Sequence, residues 1–284
     1  AEAAERCKKA GFDGVEIHAA HGYLIANFLS RHTNKRDDEY GGELKNRARF
    51  LLEIIAAVRE KVGRDYPVWC RIDGQEFEIE DGITIDDTKQ LAPMLEAAGV
   101  DALHVSGYGG FRRSFYHAPI CQPEAHLVGL AADIKETVKI PVIAVGRIEA
   151  GLGDRLIREG KADFIAMARA LLADPEYPNK VAHGQEDDVV PCIQCYNCAT
   201  QAFWNAPVFC TVNPAAGKEA ELRITPASQP KKVMVIGSGP GGMEAAIVAA
   251  RRGHKVAIYD KGVRLGGALV FASMASELNE AFLY

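Results

Sequence analysis

Four of the seven cysteines in the chain fall in one short segment, PCIQCYNCATQAFWNAPVFC. Three follow a C-x2-C-x2-C spacing and the fourth returns after a loop; they are Cys192, Cys195, Cys198 and Cys210. The first residues, AEAAERCKKAG, do not have the pattern of a secretory signal. Outside an oxidising compartment, clustered cysteines are more often metal ligands than disulfide partners. The other three, Cys7, Cys70 and Cys121, stand alone and are expected to take no part.

The spacing of the four cysteines also indicates which metal group they bind. Zinc sites usually take their ligands from two separated pairs. Three thiolates on consecutive turns and a distant fourth suit a larger iron–sulfur cube, which carries single electrons. The pattern favours such a cluster over a zinc ion or over thiols that bind nothing.

A second pattern that could do chemistry is the glycine-rich stretch KKVMVIGSGPGGMEAAIVAARRGHKVAIYD. It reads as a strand, a tight turn, a helix and a second strand, with Gly237, Gly239 and Gly242 as G-x-G-x-x-G. The glycines allow the turn, the approach of a pyrophosphate and close helix–strand packing, and Asp260 can bind a ribose hydroxyl. The sequence therefore predicts a dinucleotide site, the alternative being a glycine turn without a ligand.

Composition and charge limit the kinds of partner. The chain has 284 residues, 48% hydrophobic and 25% charged, as in soluble globular proteins. A net charge of −5 and the lack of a basic run argue against nucleic-acid binding. No apolar stretch reaches the ~20 residues that cross a bilayer. We expect a cytoplasmic protein with a small-molecule substrate, no nucleic-acid or membrane partner, and homo-oligomer formation left open.

The elements that must position these residues alternate between strand and helix over the first part of the chain. Short apolar runs predict five buried parallel strands: GVEIHAA, VWCRIDG, DALHVSG, PVIAVGR and DFIAMAR. Such repetition gives a doubly wound sheet or a β/α barrel. Polar residues follow each apolar run, and polar groups gathered at the carboxyl ends of strands favour the barrel. A barrel has eight strands, so we interpret these as its last five.

The same reading divides the chain into three parts. We expect a partial β/α barrel at residues 1–185, the cysteine segment and a linker at 186–228, and the start of a Rossmann-like domain at 229–284. The missing strands would lie in an added N-terminal segment on the order of 130–160 residues. We expect residues 1–284 alone to be poorly soluble, since an open parallel sheet exposes an unpaired edge.

These signatures, in this order, resemble one family. GFDGVEIHAAHGYLIANFLS followed by NKRDDEYGGELKNRARF resembles the flavin barrel of the Old Yellow Enzyme family. The cysteine segment, CTVNPAAGKE and the dinucleotide fold resemble its multidomain branch, which includes 2,4-dienoyl-CoA reductase, 2-enoate reductases, bile-acid and steroid ene-reductases, and trimethylamine dehydrogenase. The resemblance implies FMN in the barrel, a 4Fe-4S cluster on the cysteines, FAD in the last domain and NAD(P)H as electron donor. Family members also draw FMN contacts from the early barrel strands, so residues 1–284 alone, if not poorly soluble, are expected to be flavin-free, and not to oxidise NAD(P)H.

The resemblance also implies which residues hold the flavin. Arg71 in WCRIDG matches the residue near the flavin pyrimidine edge, where a fixed cation favours the anionic reduced ring. Gly146–Arg147 in VGRI and Ala168–Arg169 in MARA match the phosphate-binding turns. This agrees with the usual phosphate site after the last two strands of a barrel. For both arginines the alternative is an exposed ion pair.

Three further residues carry the substrate chemistry in this resemblance. His18 and His21 would donate hydrogen bonds to a substrate oxygen, which makes the β-carbon accept hydride, and Tyr23 would protonate the α-carbon. Without the resemblance, the histidines read equally as helix-cap residues and Tyr23 as a packing aromatic. NKRDDEYGG is interpreted as a structural loop and helix entry.

The expected function is reduction of an activated C=C bond of enoate, enone or enoyl-CoA type. Dienoyl-CoA reductases have a further histidine in the loop that here reads GYGGFRRSFYHAP, where Phe111 stands near the matching place. Amine dehydrogenases of the family use a tryptophan-lined cation pocket, and this chain has only Trp69 and Trp204. The alternatives are an amine dehydrogenase that passes electrons out through the cluster and a non-catalytic, zinc-stabilised nucleotide-binding module.

Overall fold

The computed structural model describes residues 1–109 and 124–274. Phe111, Cys121 and the terminal SELNEAFLY segment lie outside the described residues. The chain divides into two compact units, Ala1–Met167 and Ala168–Tyr284. Each unit is described by itself below.

The first unit alternates strands and helices. Its strands are Val15–Ala19 (β1), Val68–Glu76 (β2), Ala102–Tyr108 (β3), Val142–Val145 (β4) and Phe164–Ala166 (β5). Its helices are Glu2–Lys9 (α1), Leu24–Leu29 (α2), Leu44–Val62 (α3), Ile85–Ala97 (α4), Val128–Lys135 (α5) and Ala150–Arg158 (α6). All five predicted strands are confirmed.

The five strands form one parallel sheet in the order in which they occur along the chain. A doubly wound sheet reverses its strand order at a switch point, whereas a β/α barrel adds each strand beside the previous one. The sequential order is therefore that of a barrel. The predicted α/β fold, with the later strands of a β/α barrel, is confirmed.

The two faces of this sheet differ, because successive side chains of a strand point in opposite directions. One face is apolar and is buried under the helices, with Cys70, Ile72, Leu103 and Val105 almost without exposed surface. The alternate positions carry the polar side chains. These are Glu16 and His18 of β1, Trp69, Arg71 and Asp73 of β2, and His104 and Ser106 of β3. Because the apolar side chains must face the helices, the polar side chains at the alternate positions are all held on the opposite face of the sheet.

Helix α3 covers part of the apolar face as its periodicity predicts. Leu51, Ile55, Val58 and Val62 are buried, and Ile54 packs against the same core. The helix ends at Gly63, whose φ of 81° is strained for any residue with a Cβ atom.

The segment NKRDDEYGG before α3 is held by its own backbone contacts. The Asn34 side chain donates to the carbonyls of Phe28, at 2.7 Å, and Tyr40, at 2.8 Å. A Cβ atom at Gly41 would lie 1.9 Å from the Arg36 carbonyl oxygen, so only glycine fits there. The predicted structural role of this segment is confirmed.

The second unit begins with short helices, and a strand–helix–strand motif and a further short helix follow them. Its helices are Arg169–Ala173 (α7), Tyr177–Ala182 (α8), Asn197–Phe203 (α9), Pro240–Arg251 (α10) and Leu269–Ser273 (α11). Its strands, Lys232–Ile236 (β6) and Lys255–Tyr259 (β7), pair in parallel around α10. The predicted order of strand, glycine turn, helix and strand is confirmed.

None of the helices in the described ranges combines the length and the apolar character needed to span a lipid bilayer.

Candidate active site and cofactor sites

The three predicted catalytic side chains lie together at the carboxyl end of β1. The ring centroids of His18 and His21 are 5.1 Å apart, and those of His18 and Tyr23 are also 5.1 Å apart. Tyr23 is 58% exposed and precedes α2, so its hydroxyl is accessible from solvent. Two imidazoles and a phenol at one strand end can bind and protonate the same small molecule.

The second of these histidines is fixed by β2 and β3. His21 has a φ of 61°, and its backbone N–H donates to Asp73 Oδ2 at 2.7 Å. Its ring atom Nε2 lies 2.7 Å from Ser106 Oγ and 4.0 Å from Asp73 Oδ1. Asp73 and Ser106 are register partners in the sheet, which brings both to the same place. The sequence marked them only as polar strand ends and missed these contacts.

Burial controls the charge of the groups in this cluster. Burial lowers the pKa of His18, and the positive charge of Arg71 lowers it further. The His18 ring is therefore neutral at pH 7, with one N–H donor and one acceptor nitrogen. Burial raises the pKa of Asp73 well above the usual carboxyl range, against the opposing hydrogen bond from the His21 backbone. Burial therefore disfavours the charged forms of both His18 and Asp73 in this cluster.

Arg71 is held in a polar network on the same sheet face. Its Nε donates to Glu16 Oε1 at 2.8 Å, and Glu16 Oε2 lies 2.7 Å from both His104 Nδ1 and Trp69 Nε1. Burial alone would raise the pKa of Glu16, but the hydrogen bond and charge of His104 and the charge of Arg71 lower it overall. The ionised carboxylate therefore fixes the guanidinium, which keeps 33% of its side chain exposed for a ligand. Glu16 and His104 are network members that the sequence did not single out.

The first predicted phosphate turn follows β4 directly. Gly146 and Arg147 have φ values of 122° and 52°, so the backbone turns sharply between β4 and α6. A side chain at Gly146 would meet only Leu127, at 3.6 Å, so backbone conformation and not space selects glycine there. A turn between a barrel strand and the following helix presents backbone N–H groups to a phosphate.

The second predicted phosphate turn belongs to the second unit. Ala168 precedes α7, and Arg169 is its first residue. The guanidinium carbon of Arg169 lies 4.6 Å from the centroid of the Tyr196 ring, as in a cation–π contact. The joint phosphate role of Arg147 and Arg169 stays a prediction.

The four predicted metal ligands line one small cavity, together with Arg169 and Tyr196. Gln194 and Tyr196 have positive φ values of 55° and 62°, and these left-handed turns on either side of Cys195 bend the segment around the cavity. Burial raises the pKa of the Cys192 and Cys198 thiols, and the neighbouring cysteines raise it further. Both effects disfavour the thiolate form of Cys192 and Cys198 while no cation is bound.

The thiols are not arranged as the ligands of one ion. Among the described residues, no group of three or more His, Cys, Asp or Glu side chains is arranged to hold a metal ion. Neither Cys7, on α1, nor Cys70, in β2, lines the cavity. Cys70 is buried in the sheet, and burial raises its pKa to about 12. Cys121 lies outside the described residues.

The glycine turn of the second unit has the form needed to cradle a pyrophosphate. Gly237 has a φ of 99°, and a Cβ atom at Gly242 would lie 2.0 Å from the Gly237 carbonyl oxygen. Gly239 caps α10, and a Cβ atom there would meet nothing within 4 Å, which leaves open space at the helix N-terminus. Gly237 and Gly242 therefore serve the turn and the helix packing as the sequence predicts, and the approach of a ligand at Gly239 stays a prediction.

Asp260 lies at the end of β7 and closes the same turn. Its Oδ2 accepts the backbone N–H of Ser238 at 2.7 Å and the Ser238 hydroxyl at 2.8 Å, and its Oδ1 accepts the Gly262 N–H at 2.7 Å. These hydrogen bonds, that of Gly262 first, lower its pKa to about 2. A carboxylate has about four acceptor positions, so one remains for a ribose hydroxyl.

The first unit is a barrel-type sheet that carries histidines and an arginine on one face and a tyrosine at the carboxyl end of β1. A glycine-rich dinucleotide fold follows it in the same chain. This combination is typical of proteins that bind a flavin and a dinucleotide. The family model described as NADH:flavin oxidoreductase / NADH oxidase matches residues 1–188, and the chain belongs to this family. A model described as FAD dependent oxidoreductase matches residues 232–280. FMN and FAD are the cofactors that these two matches support.

Individual relatives are similar over nearly the whole chain. A metal reductase of Desulforamulus reducens is 48% identical over 96% of this chain and 41% of its own length. A cinnamate reductase of Clostridium sporogenes is 43% identical over 95% of this chain and 43% of its own length. A solved 2-naphthoyl-CoA reductase in complex with 2-naphthoyl-CoA has a TM-score of 0.90 at 36% identity, over 99% of this chain and 44% of that one. The chain thus spans less than half the length of these relatives.

Replacing Gly242 with alanine is expected to cost the complete protein its FAD. The added Cβ atom would meet the Gly237 carbonyl oxygen at 2.0 Å, so the turn must open. FAD content after purification, measured by chromatography of the released flavin, checks this. Gly241→Ala is the matched control, because a Cβ atom there meets nothing within 4 Å. Full FAD content in Gly242→Ala would contradict the assigned turn.

Proposed function

We propose that the complete protein reduces an activated C=C bond of enoate, enone or enoyl-CoA type with electrons from NAD(P)H. The observation that carries the proposal is the cluster of His18, His21 and Tyr23 at one strand end, with Asp73 and Ser106 fixing His21. By their names, one relative reduces cinnamate, which is an enoate, and another reduces 2-naphthoyl-CoA, which is an aromatic CoA thioester; both names add support.

The proposed roles follow from the chemistry of each side chain. The N–H groups of His18 and His21 donate to the substrate carbonyl or carboxylate oxygen and draw charge from the conjugated β-carbon. Hydride is the chemistry that reduced FMN supplies when bound. The Tyr23 hydroxyl then gives a proton to the α-carbon, and solvent can restore that proton because Tyr23 is 58% exposed.

The proposed cofactor roles are those that the family resemblance implies for these residues. Arg71 would hold the pyrimidine edge of FMN, since Glu16 fixes its guanidinium. Gly146, Arg147, Ala168 and Arg169 would hold the FMN phosphate, and Gly237, Gly239, Gly242 and Asp260 the FAD. The carboxylate–arginine network positions a cation before any ligand arrives, which lowers the ordering cost of binding.

We assign a 4Fe-4S cluster to Cys192, Cys195, Cys198 and Cys210. Each thiolate of such a cluster binds its own iron, so the four sulfur atoms need not converge on one ion. The C-x2-C-x2-C spacing with a distant fourth cysteine, and the one cavity that all four line, agree with this assignment better than with zinc, whose ligands usually come in two separated pairs. The zinc-stabilised binding module is the weaker alternative for that reason.

The amine dehydrogenase alternative receives no support from the described tryptophans. Trp69 donates its indole N–H to Glu16 at 2.7 Å and serves the arginine network. Trp204 is 77% exposed in the second unit. Within the described part of each unit, therefore, neither ring is seen in an aromatic pocket for a cation.

The test is an anaerobic activity screen of the complete protein. Cinnamate, an enone and an enoyl-CoA ester are offered with NADH or NADPH, and secondary and tertiary amines are offered with an artificial electron acceptor. We expect consumption of NAD(P)H with formation of the saturated product. Amine oxidation without alkene reduction would contradict the proposal. The three-part domain division, the cytoplasmic location and the choice between NADH and NADPH stay predictions.

A further inference from the structure

A short hydrogen-bond chain ends on one of the four cysteines. The Asn197 side chain donates from Nδ2 to Thr211 Oγ1 at 2.8 Å. Thr211 Oγ1 lies in turn 3.1 Å from Cys195 Sγ. All three residues belong to the second unit. A hydroxyl so close to a thiol sulfur is in hydrogen-bond contact with it.

The direction of this contact follows from the donors available. A threonine hydroxyl has one hydrogen and two acceptor positions, and the Asn197 amide N–H uses an acceptor position. The hydroxyl hydrogen is therefore free to point at the sulfur. A cysteine thiolate that binds iron has no hydrogen of its own. In the metal-bound state the hydroxyl is the donor and Cys195 Sγ is the acceptor.

The backbone that carries the ligands also fixes this pair. Asn197 is the first residue of α9 and adjoins Cys198, after the left-handed Tyr196. Thr211 directly follows Cys210. Cys195, by contrast, is the exposed member of the set, and the other three ligands are partly buried. The side-chain hydroxyl of Thr211 thus contacts Cys195, the most exposed of the four cysteines.

We infer that Thr211 raises the reduction potential of the cluster by donating a hydrogen bond to Cys195 Sγ, with Asn197 orienting its hydroxyl. The inference rests on the cluster assigned in the proposed function. Reduction adds negative charge that spreads onto the thiolate sulfurs, and a hydrogen bond to an ion strengthens as its charge increases. The donor therefore stabilises the reduced cluster more than the oxidised one, and hydrogen bonds to sulfur are one of the determinants of cluster potential.

Thr211 is accordingly a positioning residue for electron transfer and touches a cluster ligand, not the substrate. Electrons from a flavin enter a cluster more readily when its potential is higher. Removing the hydroxyl should make the cluster harder to reduce. It should leave the reduction of FAD by NAD(P)H unchanged, because Thr211 is not among the residues proposed to hold FAD.

The test compares three variants of the complete protein by a redox titration monitored by electron paramagnetic resonance. Thr211→Val removes the hydroxyl at nearly constant shape and should shift the midpoint potential to a more negative value. Thr211→Ser keeps the hydroxyl and should stay near the wild-type midpoint. Asn197→Ala removes the orienting donor and should shift the midpoint in the same direction as Thr211→Val, by less.

Iron and acid-labile sulfide are measured in each preparation, so that a changed midpoint refers to an intact cluster. If the Thr211→Val protein does not retain the cluster, the Thr211→Ala protein is titrated in its place. Thr211→Ser and Thr211→Ala then differ by the hydroxyl oxygen alone. A midpoint equal to wild type in an iron-loaded Val or Ala variant would overturn the inference. Wild-type protein without iron and sulfide would instead overturn the cluster assignment in the proposed function.

Discussion

Replacement of Cys195 by serine is expected to remove the cluster from the complete protein. Cys195 is one of four thiols that line a single cavity, and a serine hydroxyl is a much poorer iron ligand than a thiolate. The broad brown absorbance should disappear, and iron and acid-labile sulfide should fall far below the wild-type content. Electron transfer from NAD(P)H to an alkene substrate should fail in the same variant.

Cys7→Ser is the matched control for this loss. Cys7 lies on α1 of the first unit, is partly buried and does not line the cavity. The variant should keep the full absorbance and metal content. Two results would contradict the cluster: wild-type iron content in Cys195→Ser, or stoichiometric zinc without iron in wild-type protein purified under anaerobic conditions.

Most of the fold could be predicted because its signals are local. Apolar runs such as VWCRIDG and DALHVSG are too short for helices and too apolar for surface loops, and each became a buried parallel strand. The glycine turn was equally predictable, because a Cβ atom at Gly242 is incompatible with its geometry. What a single sequence does not contain is the strand register, which depends on packing between distant segments.

In the candidate site, too, local features could be predicted from the sequence and contacts between distant segments could not. His18, His21 and Tyr23 share one turn, so their proximity follows from spacing alone. The partners of His21 could not be found this way, because Asp73 and Ser106 reach it through the pairing of β2 with β3.

The arginine network is a second case. Glu16 and His104 contact each other across 88 positions of sequence, and only the sheet order brings them to the same face. Polar residues inside apolar runs were the available signal. A glutamate in GVEIHAA and a histidine in DALHVSG interrupt buried strands, and a buried polar group needs a partner.

Replacement of Tyr23 by phenylalanine should slow reoxidation of the reduced flavin by an enone by about 10²–10⁴-fold, the usual contribution of a general acid. The substitution removes only the hydroxyl and keeps the ring that packs at 5.1 Å from His18. Binding of the substrate oxygen by His18 and His21 is therefore preserved, and the loss falls on proton transfer to the α-carbon. Anaerobic stopped-flow absorbance of the flavin measures this half-reaction directly.

Tyr40→Phe is the matched control, because it makes the same substitution at a position outside the proposed catalytic cluster. The Tyr40 hydroxyl donates to Glu53 at 3.1 Å in the loop before α3, outside the cluster of His18, His21 and Tyr23. Both half-reactions should be unchanged in Tyr40→Phe, and reduction by NAD(P)H should be unchanged in Tyr23→Phe as well. A Tyr23→Phe enzyme whose flavin is reoxidised at the wild-type rate would assign the proton donor to another residue. Slowing of both half-reactions would place the effect on flavin binding, because a missing general acid acts only after the substrate has bound.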